Sequence, residues 1–301
     1  MQIGVNYLKE VEELFNEKKI DFIDYFKLYS LNGDVSGADW CIANRFLMFH
    51  GIIGQVSAFG EKDLIKYTDI EKTKEMIKKS KTPYLSAHIC VKDKTQSKEV
   101  TIDALKENIK IFKQTFNKEI VLENIPYRKY YEHCIYLIDP ELISKIIYEN
   151  DIMFLFDISH ARKAAEHLNM TLEEYCDKLP MDRAVEFHLA GMYEFPDISN
   201  PEIAQKYTKR QIEFIKYNLE TKGRYLDNHG KMNEEDYLFL EKAIKKYPSL
   251  KYITLEYGSI EYDSFKEADM TYPICSFDKV NQVAKNEVLE QLLRIKEIVK
   301  K

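Results

Sequence analysis

Short apolar runs alternate along the chain with stretches in which apolar side chains recur at helical spacing. Residues 152–157 are apolar almost throughout, as expected of a strand that is covered on both faces of a parallel sheet. Leu8, Val11 and Phe15 lie three and four residues apart, which predicts a helix. Short apolar runs of this kind predict strands at residues 3–6, 20–26, 46–50, 84–88, 118–123, 152–157, 184–188 and 252–256.

Helices are expected in most of the intervals between these strands. Short strands that alternate with helices predict an α/β fold, here a (β/α)8 TIM barrel, whose reactive side chains lie at the carboxyl ends of the strands. A doubly wound sheet is the alternative, and it would spread the same strand ends along a crevice. The predicted helices span residues 8–18, 70–79, 105–116, 140–147, 205–219, 234–246 and 281–300, with one more after the sixth strand that breaks near Asn169.

One connection is unusually long. Residues 192–223 follow the seventh strand and contain the predicted helix 205–219, so we interpret them as a structured insertion rather than a slack loop. Residues 225–230 are predicted to form a short loop that carries Asp227 and His229. Because no repeat, low-complexity segment or linker is visible, residues 1–301 are predicted to form one barrel domain with a helical insertion at about 192–223.

The charge balance bears on which partners the chain can have. A net charge of -6 and a pI of about 5.8 give no electrostatic case for binding nucleic acid or a membrane surface. No apolar run approaches the roughly 18 residues of a transmembrane helix. The cysteines are odd in number and form no C-x-x-C pair, which predicts reduced thiols in a cytoplasmic protein. They are Cys41, Cys90, Cys134, Cys176 and Cys275.

Six successive predicted strands, the third to the eighth, each end in a histidine, an aspartate or a glutamate. Asp157 is followed three residues later by His160, and Asp227 lies two residues before His229. In a barrel these side chains would face one axial pocket. A mixture of imidazoles and carboxylates suits zinc, iron or manganese rather than calcium or magnesium. The predicted metal ligands are His50, His88, Glu123, Asp157, His160, His188, Asp227, His229 and Glu256.

The order of the strands suggests how these ligands divide among two or three metals. Neighbouring strands supply the first group, and Glu123 would bridge to the second. Metals about 3.5–4 Å apart could bind substrate while a bound water or O2 reacts between them. The predicted groups are His50, His88 and Glu123; Glu123, Asp157, His188 and Glu256; and His160, Asp227 and His229.

Each feature alone also has an ordinary structural explanation. A histidine at a strand end is more often structural than a ligand, and Asp-Asn-His-Gly is good turn sequence. Asp157 suits a helix N-cap. Asn124 either orients a ligand or touches a bound cofactor or substrate, or it stabilises its loop. The regularity of six successive strand ends favours the metal centre, whereas His133 and His167 fall in helical or loop contexts and are left out.

Five short motifs together resemble the DUF692 group, the multinuclear non-haem iron-dependent oxidative enzymes (MNIOs). The most specific is His188-Leu-Ala-Gly191 followed by Asp227-x-His229. The resemblance implies a xylose-isomerase-like barrel that uses two or three irons, as Fe(II) and Fe(III), and O2. The five motifs are Leu122-Glu123-Asn124, Asp157-Ile-Ser-His160, Phe187-His188-Leu-Ala-Gly191, Asp227-Asn-His229-Gly230 and Leu255-Glu256-Tyr-Gly258.

The resemblance also implies a substrate and partners. Members of this group remodel cysteine, or sometimes aspartate or asparagine, in ribosomally made precursor peptides, and a partner protein or domain usually presents the leader of the precursor. It carries the iron-ligand role to eight of the nine predicted ligands, all except His160. The residues predicted as catalytic are Glu123, Asp157, His188 and Glu256.

Two features depart from the pattern of the group. His160 stands where many members carry asparagine, and residues 192–223 separate His188 widely from Asp227. The same ligand order is similar to endonuclease IV, a trinuclear zinc phosphodiesterase that His160 fits better. However, the sequences around His188 and His229 fit that enzyme poorly. A metal-dependent sugar isomerase or epimerase is a third possibility, although one or two metals would leave Asp227-x-His229 unexplained.

The sequence therefore predicts an iron-dependent, O2-using enzyme that oxidatively modifies a peptide at cysteine, with zinc as the alternative metal. Its predicted partners are a precursor peptide, O2 and a leader-peptide recognition protein. The insertion at 192–223 is a candidate docking surface for the peptide.

Overall fold

The computed structural model describes residues 1–29, 35, 37–54, 58–258 and 280–300 of the chain. Parallel strands close into a barrel in the order β1-β10-β7-β6-β5-β4-β3-β2, with helices in the connections, which confirms the predicted (β/α)8 fold. The barrel strands are β1 (Gln2–Asn6), β2 (Tyr25–Tyr29), β3 (Phe46–His50), β4 (Tyr84–His88), β5 (Glu119–Glu123), β6 (Met153–Asp157), β7 (Ala184–Leu189) and β10 (Tyr252–Leu255); a separate pair is formed by β8 (Gly191–Glu194) and β9 (Tyr225–Gly230).

Helices surround the barrel, and two of their boundaries lie at residues that commonly begin or end helices. Pro140 occupies the first turn of its helix, and Asn169 adopts a left-handed φ of 54° where a break was predicted. The α-helices in the described ranges are α1 (Lys9–Asn16), α2 (Ala38–Asn44), α3 (Ile70–Ser80), α4 (Lys98–Phe116), α5 (Pro140–Glu149), α6 (Ile158–His167), α7 (Leu172–Lys178), α8 (Pro201–Ala204), α9 (Lys209–Lys222), α10 (Glu234–Lys246) and α11 (Gln282–Lys300). Within the same ranges, 3-10 helices lie at Leu64–Tyr67, Lys129–Ile138 and Met181–Arg183.

The lower half of the barrel interior is filled by side chains rather than open. Met48, Tyr84, Val121 and Leu155 point inward from four strands and pack with Tyr25. A larger apolar core lies between the barrel strands and the helices. Because the floor is closed, the polar side chains at the carboxyl ends of the strands lie in a pocket that opens at one end only.

The prediction for the second strand was wrong in its position. Residues 20–24 form a bend and a turn rather than a strand, and β2 runs instead from Tyr25 to Tyr29. Ile20 and Ile23 are buried, so the apolar residues at 20–24 belong to the core without forming a strand. The true strand contains Lys27, a charged residue in the barrel interior, which interrupted the apolar pattern.

Residues 225–230 were predicted to form a loop, and this prediction was wrong. They form β9, which pairs in antiparallel fashion with β8 outside the barrel. The partner strand directly follows β7, about thirty residues earlier, so local turn chemistry gave no sign of the pairing. Gly191 begins β8 where a Cβ atom would lie 1.9 Å from the carbonyl oxygen of Lys231, so only glycine fits this approach.

The insertion at 192–223 has a small core of its own. Phe195 and Ile215 of the insertion are buried together with Leu226 of β9, apart from the main core. Its long helix, α9, begins at Lys209 because Thr208 and Gln211 form a capping box, four residues after the predicted start. Four of the five cysteines are buried and free, and Cys275 lies outside the described residues.

Candidate metal centre

The nine predicted ligands lie in one connected cluster at the carboxyl ends of the barrel strands. Seven are buried, and His88 and His229 are partly exposed. In the described part of the chain, four overlapping groups each bring three donor atoms within 4.8 Å of one another. The groups are His50, His88 and Glu123; Glu123, Asp157 and His160; Asp157, His188 and Glu256; and His160, Asp227 and His229.

Glu123 occupies the centre of this cluster. Its Oε2 lies 3.2 Å from Nε2 of His50 and 3.5 Å from Nε2 of His88. Its Oε1 lies 3.3 Å from Nδ1 of His188 and 3.4 Å from Nδ1 of His160. The two oxygens of one carboxylate therefore face different ligand groups, which is the arrangement that a bridging ligand requires.

Asp157 ends β6 and is also the N-cap of α6. Its Oδ1 accepts hydrogen bonds from the backbone N–H of His160 at 2.7 Å and from the hydroxyl of Ser159 at 2.8 Å. Oδ1 of Asp157 therefore caps the helix, as the structural explanation predicted. The other oxygen, Oδ2, is buried without a hydrogen-bond partner, so capping leaves it available to a metal.

Asn124 holds the ends of β5 and β6 together. Its amide nitrogen donates to the carbonyl of Asp157 at 3.0 Å, and its amide oxygen accepts from the N–H of Asp157 at 2.9 Å. The backbone carbonyl of Asn124 lies 2.8 Å from Nδ1 of His160. Both side-chain amide atoms are therefore engaged with the backbone, and they position Asp157.

The side chains of His188 and Glu256 point towards each other. Nδ1 of His188 lies 2.5 Å from Oε1 of Glu256, yet neither atom has an aligned hydrogen-bond partner. Two side chains that converge on a common ligand position have this geometry. Ser86 restrains a third member, because its hydroxyl lies 2.8 Å from Nδ1 of His50 and leaves Nε2 facing Glu123.

A buried ion pair lies beneath the cluster, and the sequence reasoning missed it. Nζ of Lys27 donates to both carboxylate oxygens of Glu186 at 2.7 Å, and both side chains are fully buried. Tyr84 and Thr254 donate further hydrogen bonds to Glu186. One signal was available in the sequence: Glu186 lies two residues before His188, on the same face of the strand.

The group formed by His160, Asp227 and His229 is contacted by polar side chains that are not themselves candidate ligands. Asp227 accepts a hydrogen bond from Nη2 of Arg128 at 2.8 Å, and its Oδ1 lies 3.1 Å from the hydroxyl of Ser159, whose single proton is shared with Oδ1 of Asp157. Nε2 of His160 lies 3.5 Å from Oδ2 of Asp227, and Nε2 of His229 lies 3.6 Å from its Oδ1. His229 has a φ of 53°, an uncommon conformation for a residue other than glycine and one found often at functional sites.

Several donor atoms of the cluster are buried without any hydrogen-bond partner. Such an atom costs about 1–3 kcal/mol when it is left unsatisfied, so a cluster of them indicates a missing ligand. Divalent metal ions fit, because imidazole nitrogens and carboxylate oxygens are their usual ligands. Within the described ranges, the unpartnered atoms that face other candidate ligands are His50 Nε2, Glu123 Oε2, Asp157 Oδ2, His188 Nδ1 and Glu256 Oε1. Nε2 of His188 also lacks an aligned hydrogen bond, but it lies 3.3 Å from Oε1 of Glu186, away from the other ligands.

Burial and mutual charge set the protonation states of these groups. Burial opposes ionisation of Glu123, but the imidazoles of His88, His188 and His50 hold the pKa of its carboxyl well below the usual range. Burial lowers the pKa of the His50 imidazole well below its usual value. A charged Glu123 beside a neutral His50 is the state in which both can bind a metal. Burial raises the pKa of the Glu256 carboxyl to about 8.

Three aromatic residues outside the predicted ligand set also have defined contacts. Tyr29, at the end of β2, lies with its ring 5.0 Å from that of His50, and its buried hydroxyl has no hydrogen-bond partner in the parts of the chain described here. The sequence reasoning missed Tyr29 because it ended this strand too early. His133, which had been left out, makes contact with the carbonyl of Val91 at 2.9 Å. His167 stacks on Tyr127 with 3.7 Å between ring centroids.

Comparison with known protein families identifies the family of this chain. A family model described as "RiPP precursor modification enzyme MbnB/TglH/ChrH" matches residues 3–257, where RiPP denotes a ribosomally synthesised and post-translationally modified peptide. The chain belongs to this family. The family resemblance predicted from the motifs is therefore confirmed, and with it a peptide-modifying role. No curated protein matches the chain.

Solved structures share the fold of this family member at low sequence identity. A xylose isomerase domain protein from Salmonella typhimurium is 12% identical, with a TM-score of 0.59 and coverage of 100% of this chain and 97% of that one. Endonuclease IV from Thermus thermophilus is 11% identical, with a TM-score of 0.55 and 99% coverage of both. The IOLI protein, described with a binding zinc atom, is 13% identical, with a TM-score of 0.52 and coverage of 99% and 96%. These likenesses establish a xylose-isomerase-like barrel.

None of the helices in the described ranges is both long enough and apolar enough to cross a membrane.

Proposed function

We propose that this protein is an O2-using, iron-dependent enzyme that oxidatively modifies a ribosomally synthesised peptide at cysteine. Membership of a family of precursor-modifying enzymes supports the substrate class. The observation that carries the metal-dependent part is the set of buried, unpartnered donor atoms at the barrel mouth. Zinc suits the same donors, but it has no redox chemistry, and the family resemblance favours iron.

The proposed ligands divide into an inner pair of sites and an outer site. His50, His88 and Glu123 would hold one inner metal, and Asp157, His188 and Glu256 would hold the other. Glu123, whose Oε1 also lies near His188, would serve both. Bound iron would supply the reaction with O2 that no side chain can provide. The outer site consists of His160, Asp227 and His229.

The surrounding residues hold the ligands in place and shape access to them. Ser86 orients His50, and Asn124 positions Asp157. The closed floor of the barrel excludes water from below. Because His88 and His229 are the partly exposed members of the cluster, the peptide side chain approaches from their side. A thiolate would be favoured there, because the bound metal ions supply positive charge that lowers its pKa.

The test is a reaction with a cysteine-containing precursor peptide encoded by a neighbouring gene. The protein, purified without oxygen and reconstituted with Fe(II), should consume O2 and change the mass of the peptide. A peptide with serine in place of the cysteine and the His188→Ala enzyme should both be inactive. The zinc-reconstituted enzyme is the metal control. Nicking of DNA at abasic sites, or turnover of a free sugar without O2, would replace this proposal with the nuclease or the isomerase.

A further inference from the structure

A fixed positive charge from the protein lies at the outer edge of the metal centre. Nη2 of Arg128 donates a hydrogen bond to Oδ2 of Asp227 at 2.8 Å. The side chain of Arg128 is 38% exposed, whereas that of Asp227 is 2% exposed. The guanidinium therefore reaches in from the protein surface to a buried carboxylate that is also a candidate metal ligand.

The outer and inner groups differ in how far their donor atoms are already satisfied. Oδ2 of Asp227 accepts a hydrogen bond from Arg128, and Oδ1 of Asp227 competes with Oδ1 of Asp157 for the single hydroxyl proton of Ser159. Nδ1 of His160 is engaged with the carbonyl of Asn124. In the described ranges, all the unpartnered buried atoms of the cluster belong to the inner groups and none to His160, Asp227 or His229. The inner groups thus need cations, while the outer group already has one.

The sum of formal charges in the cluster also favours two divalent ions rather than three. Glu123, Asp157, Asp227 and Glu256 contribute four negative charges when ionised, and Lys27 cancels the charge of Glu186. Two divalent ions neutralise the four carboxylates, and Arg128 then leaves one positive charge, which a bound thiolate would cancel. A third divalent ion would add two further positive charges in a largely buried pocket, where uncompensated charge is costly.

We propose that the guanidinium of Arg128 takes the place of a third metal ion, so that this chain holds two metals tightly and admits a third only when Arg128 leaves Asp227. This inference rests on the metal centre of the proposed function. It makes Arg128 a residue that sets the metal stoichiometry.

The experiment is metal analysis of protein reconstituted anaerobically with Fe(II) and then freed of unbound metal on a desalting column. The wild type should retain two irons per chain and Arg128→Gln three. Arg183→Gln, which removes an arginine from a surface pair with Asp151, is the control and should retain two. Arg128→Lys keeps the positive charge and should also retain two. Adding Asp227→Asn to Arg128→Gln should return the count to two, because the third ion depends on that carboxylate.

Other outcomes separate this inference from the proposed function. Three irons in the wild type, or two in a folded Arg128→Gln protein, would overturn the role of Arg128 and leave the inner metal centre standing. Fewer than two irons in the wild type would instead overturn the metal centre on which both ideas rest. Circular dichroism of each variant establishes that the chains compared are folded.

Discussion

Oε1 of Glu186 lies 3.3 Å from Nε2 of His188, on the edge of the imidazole opposite to the other ligands. Nδ1 of the same ring lies within 3.3 Å of both Glu123 and Glu256. A carboxylate beside one ring nitrogen favours the tautomer that carries the proton there and leaves the other nitrogen free to bind a metal. The buried ion pair beneath the site thus determines which nitrogen of His188 faces the cluster.

The first prediction concerns Glu186→Gln. Loss of the carboxylate should weaken metal binding about 10- to 100-fold, because the tautomer of His188 is no longer held. It should also destabilise the metal-free protein by about 3–5 kcal/mol, because Lys27 is left buried without its partner. Calorimetric metal titration measures the first effect, and denaturant unfolding measures the second.

The matched control is Lys27→Met combined with Glu186→Gln. This pair of changes removes both buried charges, so the free energy of unfolding should recover towards the wild-type value. Metal affinity should stay low, because the carboxylate beside His188 is still absent. If the double variant bound metal as tightly as the wild type, Glu186 would have no positioning role.

The second prediction distinguishes a bridging ligand from a terminal one. Glu123→Gln should lose both inner metals, since Oε2 faces His50 and Oε1 faces His188. Glu256→Gln should lose only the metal of its own group and retain the one at His50 and His88. Metal content per chain is the measurement. Equal losses from the two variants would contradict the bridging position of Glu123.

The third prediction concerns pH. Burial raises the pKa of the Glu256 carboxyl from 4.5 to about 8, so the folded metal-free protein keeps a proton that the unfolded chain releases above about pH 4.5. This group's contribution to the free energy of unfolding is complete below pH 4.5 and is lost as the pH rises to about 8. Metal affinity should rise over the same window, because the metal displaces that proton.

Glu256→Gln is the control for the pH prediction, because glutamine does not titrate. The free energy of unfolding of the metal-free variant, measured by denaturant titration at several pH values, should fall less between about pH 4.5 and 8 than that of the wild type. Parallel pH profiles for the two proteins would assign the dependence to other groups.

The fourth prediction tests the insertion as a peptide-docking surface. Deleting all of 192–223 would remove β8, the strand that pairs with β9 and its Asp227, so point changes on α9 are preferable. Tyr217 is 62% exposed on this helix, and Tyr217→Ala should weaken peptide binding roughly tenfold, a typical loss for an aromatic anchor. Metal content should not change.

Leu238→Ala offers a matched control for the docking prediction, since Leu238 is 56% exposed on a different helix, α10. Peptide affinity, measured by fluorescence anisotropy, should be unchanged in this variant. An unaltered affinity in Tyr217→Ala would place the docking surface elsewhere.

The sequence predicted the site best where the position of a residue along its strand indicates which way its side chain points. Polar side chains at the carboxyl ends of barrel strands commonly face the pocket, so His50, Glu123 and His188 were placed from their strands alone. The sequence was less informative where distant segments meet. Lys27 interrupts an apolar pattern, and its partner Glu186 is 159 residues away. The pairing of β8 with β9 likewise depends on tertiary contact.

The contact between Arg128 and Asp227 is another interaction between distant residues that the sequence did not predict, here within the site. Asp227 was predicted as a metal ligand from its spacing to His229, but the arginine that reaches it lies 99 residues earlier. No local pattern predicts such a contact, because it arises when the connections after β5 and β7 meet above the barrel.

Anomalous X-ray scattering at the iron absorption edge, from crystals of the anaerobically reconstituted protein, would locate the bound iron ions. We predict two strong peaks at the barrel mouth, one among His50, His88 and Glu123 and one among Asp157, His188 and Glu256, with Glu123 between them. Absence of iron from the barrel mouth, or iron bound only elsewhere on the chain, would contradict the account.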